Sequence, residues 1–180
     1  FDPTREGAHR VTVHINSNDP TPTERIYSFS LRGTGQSLSP RIVLSGNGID
    51  ITPGDETPGP EDHTRFPDTD LLSASTRTFT VRNPGNGPLL IDAVEFLGSH
   101  AAEFTVTQPP SSPLEPETVS SLQITFRPMV QGPRTATLRI TSNDPAQPVY
   151  EVDLEGIGGR FKLLGIERDD NDALINFSTT

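Results

Sequence analysis

Cysteine and tryptophan are absent from the sequence, and aromatic residues make up only 6% of its 180 residues. The absence of cysteine excludes disulfide bridges and thiolate metal sites. It leaves the cellular compartment open, because an apolar core alone can hold a β-sandwich of this size. No run of apolar residues approaches the length of a membrane span, so we expect no membrane insertion in this segment.

Basic residues are also scarce, with 14 Lys and Arg against 24 Asp and Glu and a formal net charge of -10. Binding to a phosphate backbone needs clustered Lys and Arg, so the composition predicts no nucleic-acid partner. Motifs for catalysis are missing too: the four histidines show no H-x-H or H-E-x-x-H spacing, and no G-x-S-x-G occurs. We therefore predict no catalytic residue, no cofactor-binding residue and no cofactor, and a segment that is not an enzyme.

The sequence is rich in residues that interrupt strands and helices, with 18 Pro and 15 Gly between short apolar runs. These runs alternate apolar and polar residues, which is typical of strands with one buried face. Strands are predicted near 41–45, 77–83, 89–96, 104–107 and 119–126, with a single helical turn at 99–103. Together with a final strand pair they predict an all-β, seven-stranded, immunoglobulin-like β-sandwich.

One stretch of the amino-acid sequence occurs twice. "FDPTREGAHRVTVHINSNDP" at 1–20 aligns with "FRPMVQGPRTATLRITSNDP" at 126–145, and both copies continue to a Gly-x-Gly. Each copy should form two consecutive antiparallel strands joined by the Ser-Asn-Asp-Pro loop, because Asn and Asp favour turns and Pro ends a strand. The residues predicted to share the apolar face are Val11, Val13, Ile15, Tyr27, Phe29 and Leu31 in the first copy, and Ala136, Leu138, Ile140, Tyr150, Val152 and Leu154 in the second.

The repeat predicts a division into three parts. Residues 1–36 would be the C-terminal strand pair of a preceding repeat, 37–159 a complete repeat, and 160–180 the first hairpin of a following β-domain. Since the text starts without Met and stops in a strand-like run, we expect a piece of a longer protein. Gly-x-Gly pairs at 33–35, 46–48 and 156–158 are interpreted as places where the chain turns between modules.

The order of these motifs carries a family resemblance. Phe-x-Pro, Gly, Ser-Asn-Asp-Pro and a final Gly-x-Gly, as in "FRPMVQGPRTATLRITSNDPAQPVYEVDLEGIGG", resemble the choice-of-anchor D repeats of large bacterial surface and secreted proteins. These are similar to the ASH domains of hydin and spindle-pole proteins, in the major-sperm-protein branch of immunoglobulin-like folds. The resemblance covers about 39–159, with a half-repeat at 1–35. It implies a fold and a tandem arrangement, and it implies no catalytic residues.

Three functions are compatible with this pattern. The first is a non-catalytic spacer, stalk or adhesive scaffold in a large exported bacterial protein, placed outside the cell or on its surface. Its partners would be neighbouring repeats in the same chain and an unknown protein or glycan ligand. The alternatives are an intracellular scaffold in the cytoplasm or cilium, like the ciliary and centrosomal ASH proteins, and an accessory domain of a secreted hydrolase whose chemistry lies elsewhere.

Metal binding has two weak candidates. Asp55, Asp62, Asp68 and Asp70, together with Glu56 and Glu61, could offer carboxylate oxygens to Ca²⁺, but they lack the D-x-D-x-D-G spacing of a calcium loop. The alternative is a solvated loop that keeps a sheet edge from pairing. The run from Asp169 to Asp172 also lacks the glycine of such a loop and stands where a hairpin turn is expected.

Overall fold

A computed structural model describes residues 2–21, 23, 25–159, 161–169 and 172–179, the last two ranges as strand backbone only. The chain divides into two compact units, Phe1–Leu38 and Ser39–Thr180. The first unit contains β1 (Gly7–Asn16) and β2 (Ile26–Gly35), which pair antiparallel. The predicted strand pair is therefore present, and its origin in a preceding repeat stays a prediction.

The second unit contains the sandwich. Its strands are β3 (Val43–Gly46), β4 (Ile49–Ile51), β5 (Ser75–Asn83), β6 (Ile91–Leu97), β7 (Phe104–Gln108), β8 (Thr118–Phe126), β9 (Gly132–Ser142) and β10 (Val149–Gly158). One sheet has the order β4-β3-β5-β8-β7 and the other β10-β9-β6. All seven predicted strands are confirmed, as is the helical turn, a 3-10 turn at Ala101–Glu103. The immunoglobulin-like all-β fold is confirmed.

Strand β4 is an addition that the prediction missed. Asn47 and Gly48 both have positive φ, 50° and 81°, and connect β3 directly to β4. A two-residue Asn-Gly turn has the backbone twist that antiparallel strands require. The dipeptide was therefore a usable signal for a hairpin at this point.

The apolar faces of both sheets form one core cluster. Alternation along the strands puts Leu122, Ile124 and Phe126 of β8 and Leu138 and Ile140 of β9 at 0% exposure. At one end of the core, the ring of Phe126 stacks on that of Phe104 with centroids 4.9 Å apart. The ring of Phe66 lies 5.8 Å from that of Phe126, although Phe66 belongs to no strand.

Residues 54–69 run along the outer edge of β10, and we call them the covering segment. Parallel bridges join Asp55 to Val152, Arg65 to Glu155 and Thr69 to Gly158. Backbone N–H groups donate from the segment to β10 and from β10 to the segment. Phe66 donates to the Glu155 carbonyl (2.7 Å), and Glu155 donates to the Thr64 carbonyl (3.0 Å). The acidic residues Glu56, Glu61 and Asp68 of this segment are exposed, and the segment occupies the edge of β10 through its own backbone bonds, so that edge is not open to another strand.

The Gly-x-Gly pairs also have a different role from the one predicted. Gly156 and Gly158 lie within β10, where an added Cβ would stand 2.4 Å from the Phe126 ring and 2.4 Å from the Val130 carbonyl oxygen, respectively. They allow a close approach of neighbouring groups to the strand. Among the described residues of the three pairs, only Gly48 lies in a turn.

Beyond the sandwich, β11 (Phe161–Asp169) pairs antiparallel with β12 (Asp172–Thr179). That this hairpin opens a following domain stays a prediction. In the part of the chain that the structure describes, no helix is long and apolar enough to span a membrane.

The covering segment should contribute to stability through Phe66, which is 2% exposed. We expect Phe66→Ala to lower the free energy of unfolding by about 3–5 kcal/mol, because it leaves a cavity among aromatic rings. The matched control is Asp68→Ala, an exposed site two residues away, which should change it by less than about 0.5 kcal/mol. Urea unfolding followed by far-UV circular dichroism measures both variants. Equal, small effects would mean that the segment is not part of the core.

Candidate functional site

Buried polar side chains lie where the chain enters the sandwich. A cleft of about 430 Å³ opens there, lined by residues 39–43, 50–53, 144, 146, 147 and 150. It includes Asp144 of the Ser-Asn-Asp-Pro motif, which is 2% exposed. A buried carboxylate in a cleft is a candidate for chemistry, so the partners of each polar group decide what this region can do.

Asp144 is held by backbone donors. Its Oδ2 accepts a hydrogen bond from the N–H of Ile42 (2.8 Å), on the segment that leads into β3. Its Oδ1 accepts from the N–H groups of Ala146 (2.8 Å) and Gln147 (3.2 Å), within its own loop. Three donors on one carboxylate explain how the charge is tolerated in the interior.

The neighbouring asparagine binds a different loop. Asn143 Oδ1 accepts from the N–H of Leu90 (2.8 Å), and its Nδ2 donates to the Pro88 carbonyl (3.1 Å). Leu90 also accepts a hydrogen bond at its carbonyl from the Asn143 N–H (3.1 Å). The Ser-Asn-Asp-Pro loop is thereby fixed to the turn between β5 and β6.

A second amide, which unlike Asn143 is buried, completes the arrangement. Asn83, at the end of β5, is 0% exposed. Its Oδ1 accepts from the N–H groups of Arg41 (3.1 Å) and Gly85 (3.0 Å), and its Nδ2 donates to the carbonyls of Gly87 (2.8 Å) and Leu114 (2.9 Å). Asn83, Asn143 and Asp144 are called the closing network below, because they tie both sheets and the entering segment together.

The chemistry available in the cleft is limited. Both Asp144 oxygens are occupied by N–H donors, so this carboxylate is poorly placed to act as a base. Tyr150, which is 2% exposed, donates its hydroxyl to the Ile51 carbonyl. Burial raises the pKa of this phenol above its ordinary value, and the charge of nearby Asp50 adds to that effect, so it stays protonated. The closing network therefore binds the protein's own backbone.

The calcium candidates do not converge on one point. Asp55 Oδ1 accepts from the N–H and hydroxyl of Thr57 (2.9 and 2.6 Å), and Asp62 Oδ1 accepts from those of Thr64 (3.0 and 2.6 Å). Asp68 is exposed, and Asp70 lies beside Gly159. Within the described ranges, no three His, Asp or Glu side chains are grouped as metal ligands would be. The run from Asp169 to Asp172 includes positions 170 and 171, which lie outside the described residues.

One buried ion pair was not anticipated from the sequence. Glu103, in the 3-10 turn and 6% exposed, lies 3.7 Å from the guanidinium Nε of Arg134 on β9. Arg134 also donates to the carbonyls of Val130 and Gln131, both at 3.0 Å. The pair anchors the turn between β6 and β7 to β9, which is a structural role.

Comparison with known families agrees with this geometry. Residues 61–156, from the covering segment to near the end of β10, match the family described as "HYDIN/CFA65/VesB-like, Ig-like domain". The chain belongs to this family. The predicted resemblance to hydin-like repeats is confirmed, and a comparison with curated proteins gave no match.

Solved structures similar to this HYDIN/CFA65/VesB-like domain include a protein of unknown function from Porphyromonas gingivalis W83, with 16% identity, a TM-score of 0.49, and coverage of 87% of this chain and 68% of that one. The ASH/PapD-like domain 7 of human CEP192 shows 17% identity and a TM-score of 0.45 over 71% and 91% of the two chains. The VesB protease of Vibrio cholerae shows 12% identity and a TM-score of 0.42 over 53% and 29%. The chain thus spans less than a third of the VesB chain.

The closing network predicts a strong effect of Asp144→Ala. The change leaves the N–H of Ile42 without its acceptor, and we expect the free energy of unfolding of the sandwich to fall by about 2–4 kcal/mol. Asp19→Ala changes the same motif position in the first unit and should leave that value unchanged. Urea unfolding of the two variants makes the comparison. An unchanged midpoint for Asp144→Ala would contradict the proposed role of the network.

The raised pKa of Tyr150 predicts how the free energy of unfolding depends on pH in the alkaline range. Because its pKa is raised in the folded protein above the ordinary 10.0, the folded state holds the phenolic proton more tightly. This contribution is fully present below about pH 10 and is lost as the pH rises through the folded-state pKa. Tyr150→Phe should abolish that part of the alkaline decline, at a cost of about 1 kcal/mol near pH 8 for the lost hydrogen bond. Thermal unfolding across this pH range, with Tyr27→Phe as the control, tests it.

Proposed function

We propose that residues 39–159 are a non-catalytic structural module of a tandem array, acting as a spacer or adhesive scaffold in a large exported bacterial protein. The observation that carries this proposal is the use of the Ser-Asn-Asp-Pro motif. This most distinctive stretch of the sequence binds the module's own backbone, and it recurs in the first unit on a strand pair of the same register. Export is supported by the resemblance of the repeats to those of bacterial surface proteins.

The two strand pairs agree residue by residue. Gly7 pairs with Gly35 as Gly132 pairs with Gly158, and Val13 opposes Phe29 as Leu138 opposes Val152. Gly7 and Gly132 both have positive φ, 97° and 106°. An added Cβ would meet the Arg5 carbonyl oxygen at 2.2 Å from Gly35 and the Val130 carbonyl oxygen at 2.4 Å from Gly158. Such agreement supports a repeated module rather than two unrelated hairpins.

The corresponding side chains agree as well. His9 Nε2 bonds to the Arg5 carbonyl (2.8 Å), at the position where Arg134 donates to the Val130 carbonyl (3.0 Å).

A spacer needs a unit that keeps its shape and can be copied along a chain. The closing network and the covering segment supply that property, because they fix the end and one edge of the sandwich.

Partners would meet the module at its remaining edges and loops. Strand β6 is at the end of its sheet, and it carries the exposed acids Asp92 and Glu95. Charged residues on an edge strand discourage unspecific strand addition. The module would accordingly present ligand-binding parts of the array, with neighbouring repeats as its first partners and a protein or glycan as the ligand of the whole.

A domain replacement in the full-length protein tests this function. Residues 39–159 are replaced by an unrelated immunoglobulin-like sandwich of similar length, or deleted as the control. A spacer predicts that replacement preserves surface exposure and ligand or cell binding, whereas deletion reduces both. Loss of binding after replacement, to the level of the deletion, would show that the module itself carries the binding site. A protein found only in the cytoplasm would contradict export.

A further inference from the structure

One apolar surface of the first unit is uncovered. The alternating residues on one side of β1 and β2 form what we call the open face, and Val13 on it is half-buried. Its other members are Val11 (56% exposed), Ile15 (50%), Tyr27 (66%), Phe29 (38%) and Leu31 (52%). Contiguous apolar side chains with this exposure are unusual on a finished protein surface and indicate a contact.

The second unit shows what covers such a face. The equivalent residues of β9 and β10 belong to the sandwich core, packed in one cluster with the five-stranded sheet. They are Ala136 (4% exposed), Leu138 (0%), Ile140 (0%), Tyr150 (2%), Val152 (1%) and Leu154 (0%). The same alternation in the same register is therefore buried in one unit and open in the other.

The opposite face of the first unit needs no partner. His14 Nδ1 bonds to the Ser28 hydroxyl across the strands (2.7 Å), at the positions where Arg139 contacts Glu151 in the second unit. Arg10, Thr12, Ser30 and Arg32 on this face are polar and exposed, and Ile26 at its end is its one large apolar residue. A two-stranded hairpin alone is marginally stable in water, so its stability depends on what the apolar face contacts.

The Ser-Asn-Asp-Pro loop of the first unit has the same internal hydrogen bonds as its counterpart in the second unit. Ser17 N–H donates to the Arg25 carbonyl (2.8 Å), and Asp19 Oδ1 accepts from Thr21 N–H (2.8 Å). The counterparts in the second unit are the bond from Ser142 N–H to the Pro148 carbonyl (3.0 Å) and the bond from Ala146 N–H to Asp144 Oδ1 (2.8 Å). The internal bonds of the motif are thus reproduced. Its outward contacts, to residues 42, 88 and 90, involve parts of a sandwich that the first unit does not contain.

We propose that the open face is the docking surface for a five-stranded antiparallel sheet of the same kind, formed by chain that precedes residue 1. This inference deepens the proposed function and rests on its tandem arrangement. The sheet would bring alternating apolar residues to the open face, a backbone N–H to Asp19, and a turn equivalent to residues 88–90 to Asn18. Docking completes a sandwich that ends at Gly35.

A second copy of this chain is a poorer occupant. The five-stranded sheet of residues 39–159 already has its apolar face covered by β9 and β10 of its own unit. Face-to-face pairing of two open faces would bury apolar area, but it would bring no turn or entering segment to Asn18 and Asp19. The chain ahead of the hairpin supplies all three contacts at once.

Hydrogen exchange in the full-length protein tests the proposal. Peptides covering β1 and β2 should be protected to within about tenfold of those covering β9 and β10, and in the 180-residue chain alone they should exchange about 100-fold faster. Phe29→Asp should remove the protection in the full-length protein, whereas Ser30→Asp, the adjacent position on the polar face, should keep it. Asp19→Ala should weaken it.

Three results would overturn the inference. They are rapid exchange of β1 and β2 in the full-length protein, equal effects of Phe29→Asp and Ser30→Asp, and protection in the 180-residue chain that rises with concentration alongside a doubled mass. The last result would assign the open face to a second copy. Failure of the domain replacement alone would leave this docking intact, since protection of β1 and β2 does not depend on which module binds the ligand.

Discussion

The hydrogen bond from the Ile42 N–H to the Asp144 carboxylate joins the start of the sandwich to its last loop, 102 residues later in the sequence. Asn83 binds the N–H of the preceding residue, Arg41. Two buried side chains, one at the end of β5 and one in the loop between β9 and β10, therefore bind adjacent backbone groups. In a β-sandwich the two sheets are otherwise held by non-directional apolar contacts. Directional bonds at the end where the chain enters the sandwich fix how the two sheets meet.

Alternation made most of the fold predictable, because a strand with one buried face leaves a period of two in the sequence. The strands that carry Phe79, Leu122, Leu138 and Val152 all show it. The covering segment does not: residues 54–69 bring only Phe66 into the core among Pro, Gly and acidic residues. Its pairing with β10 uses backbone groups of an irregular chain, and such pairing leaves no periodic pattern to detect.

The candidate site was predictable only as a location. The repeated Ser-Asn-Asp-Pro indicated a turn between the last two strands, and the structure places it there. The motif binds backbone groups of Ile42, Pro88 and Leu90, which lie 53 to 102 residues away along the chain. Nothing in a single sequence relates an Asp to a backbone N–H at that distance. The acidic residues around Asp55 and Asp62 attracted attention by composition, yet their side chains cap local turns.

The chain allows a strand pair without a sandwich, β1 and β2, to be compared with the equivalent pair inside one, β9 and β10. β1 and β2 repeat the register, the glycine contacts and the internal loop bonds of β9 and β10, so the local sequence determines these features. Burial is not reproduced: Tyr27 is 66% exposed and Tyr150 only 2%. Burial and the outward bonds of the motif therefore belong to the complete sandwich. Because Asp144 binds the segment that opens its own sandwich, the second Ser-Asn-Asp-Pro motif closes this sandwich, and its polarity serves the fold.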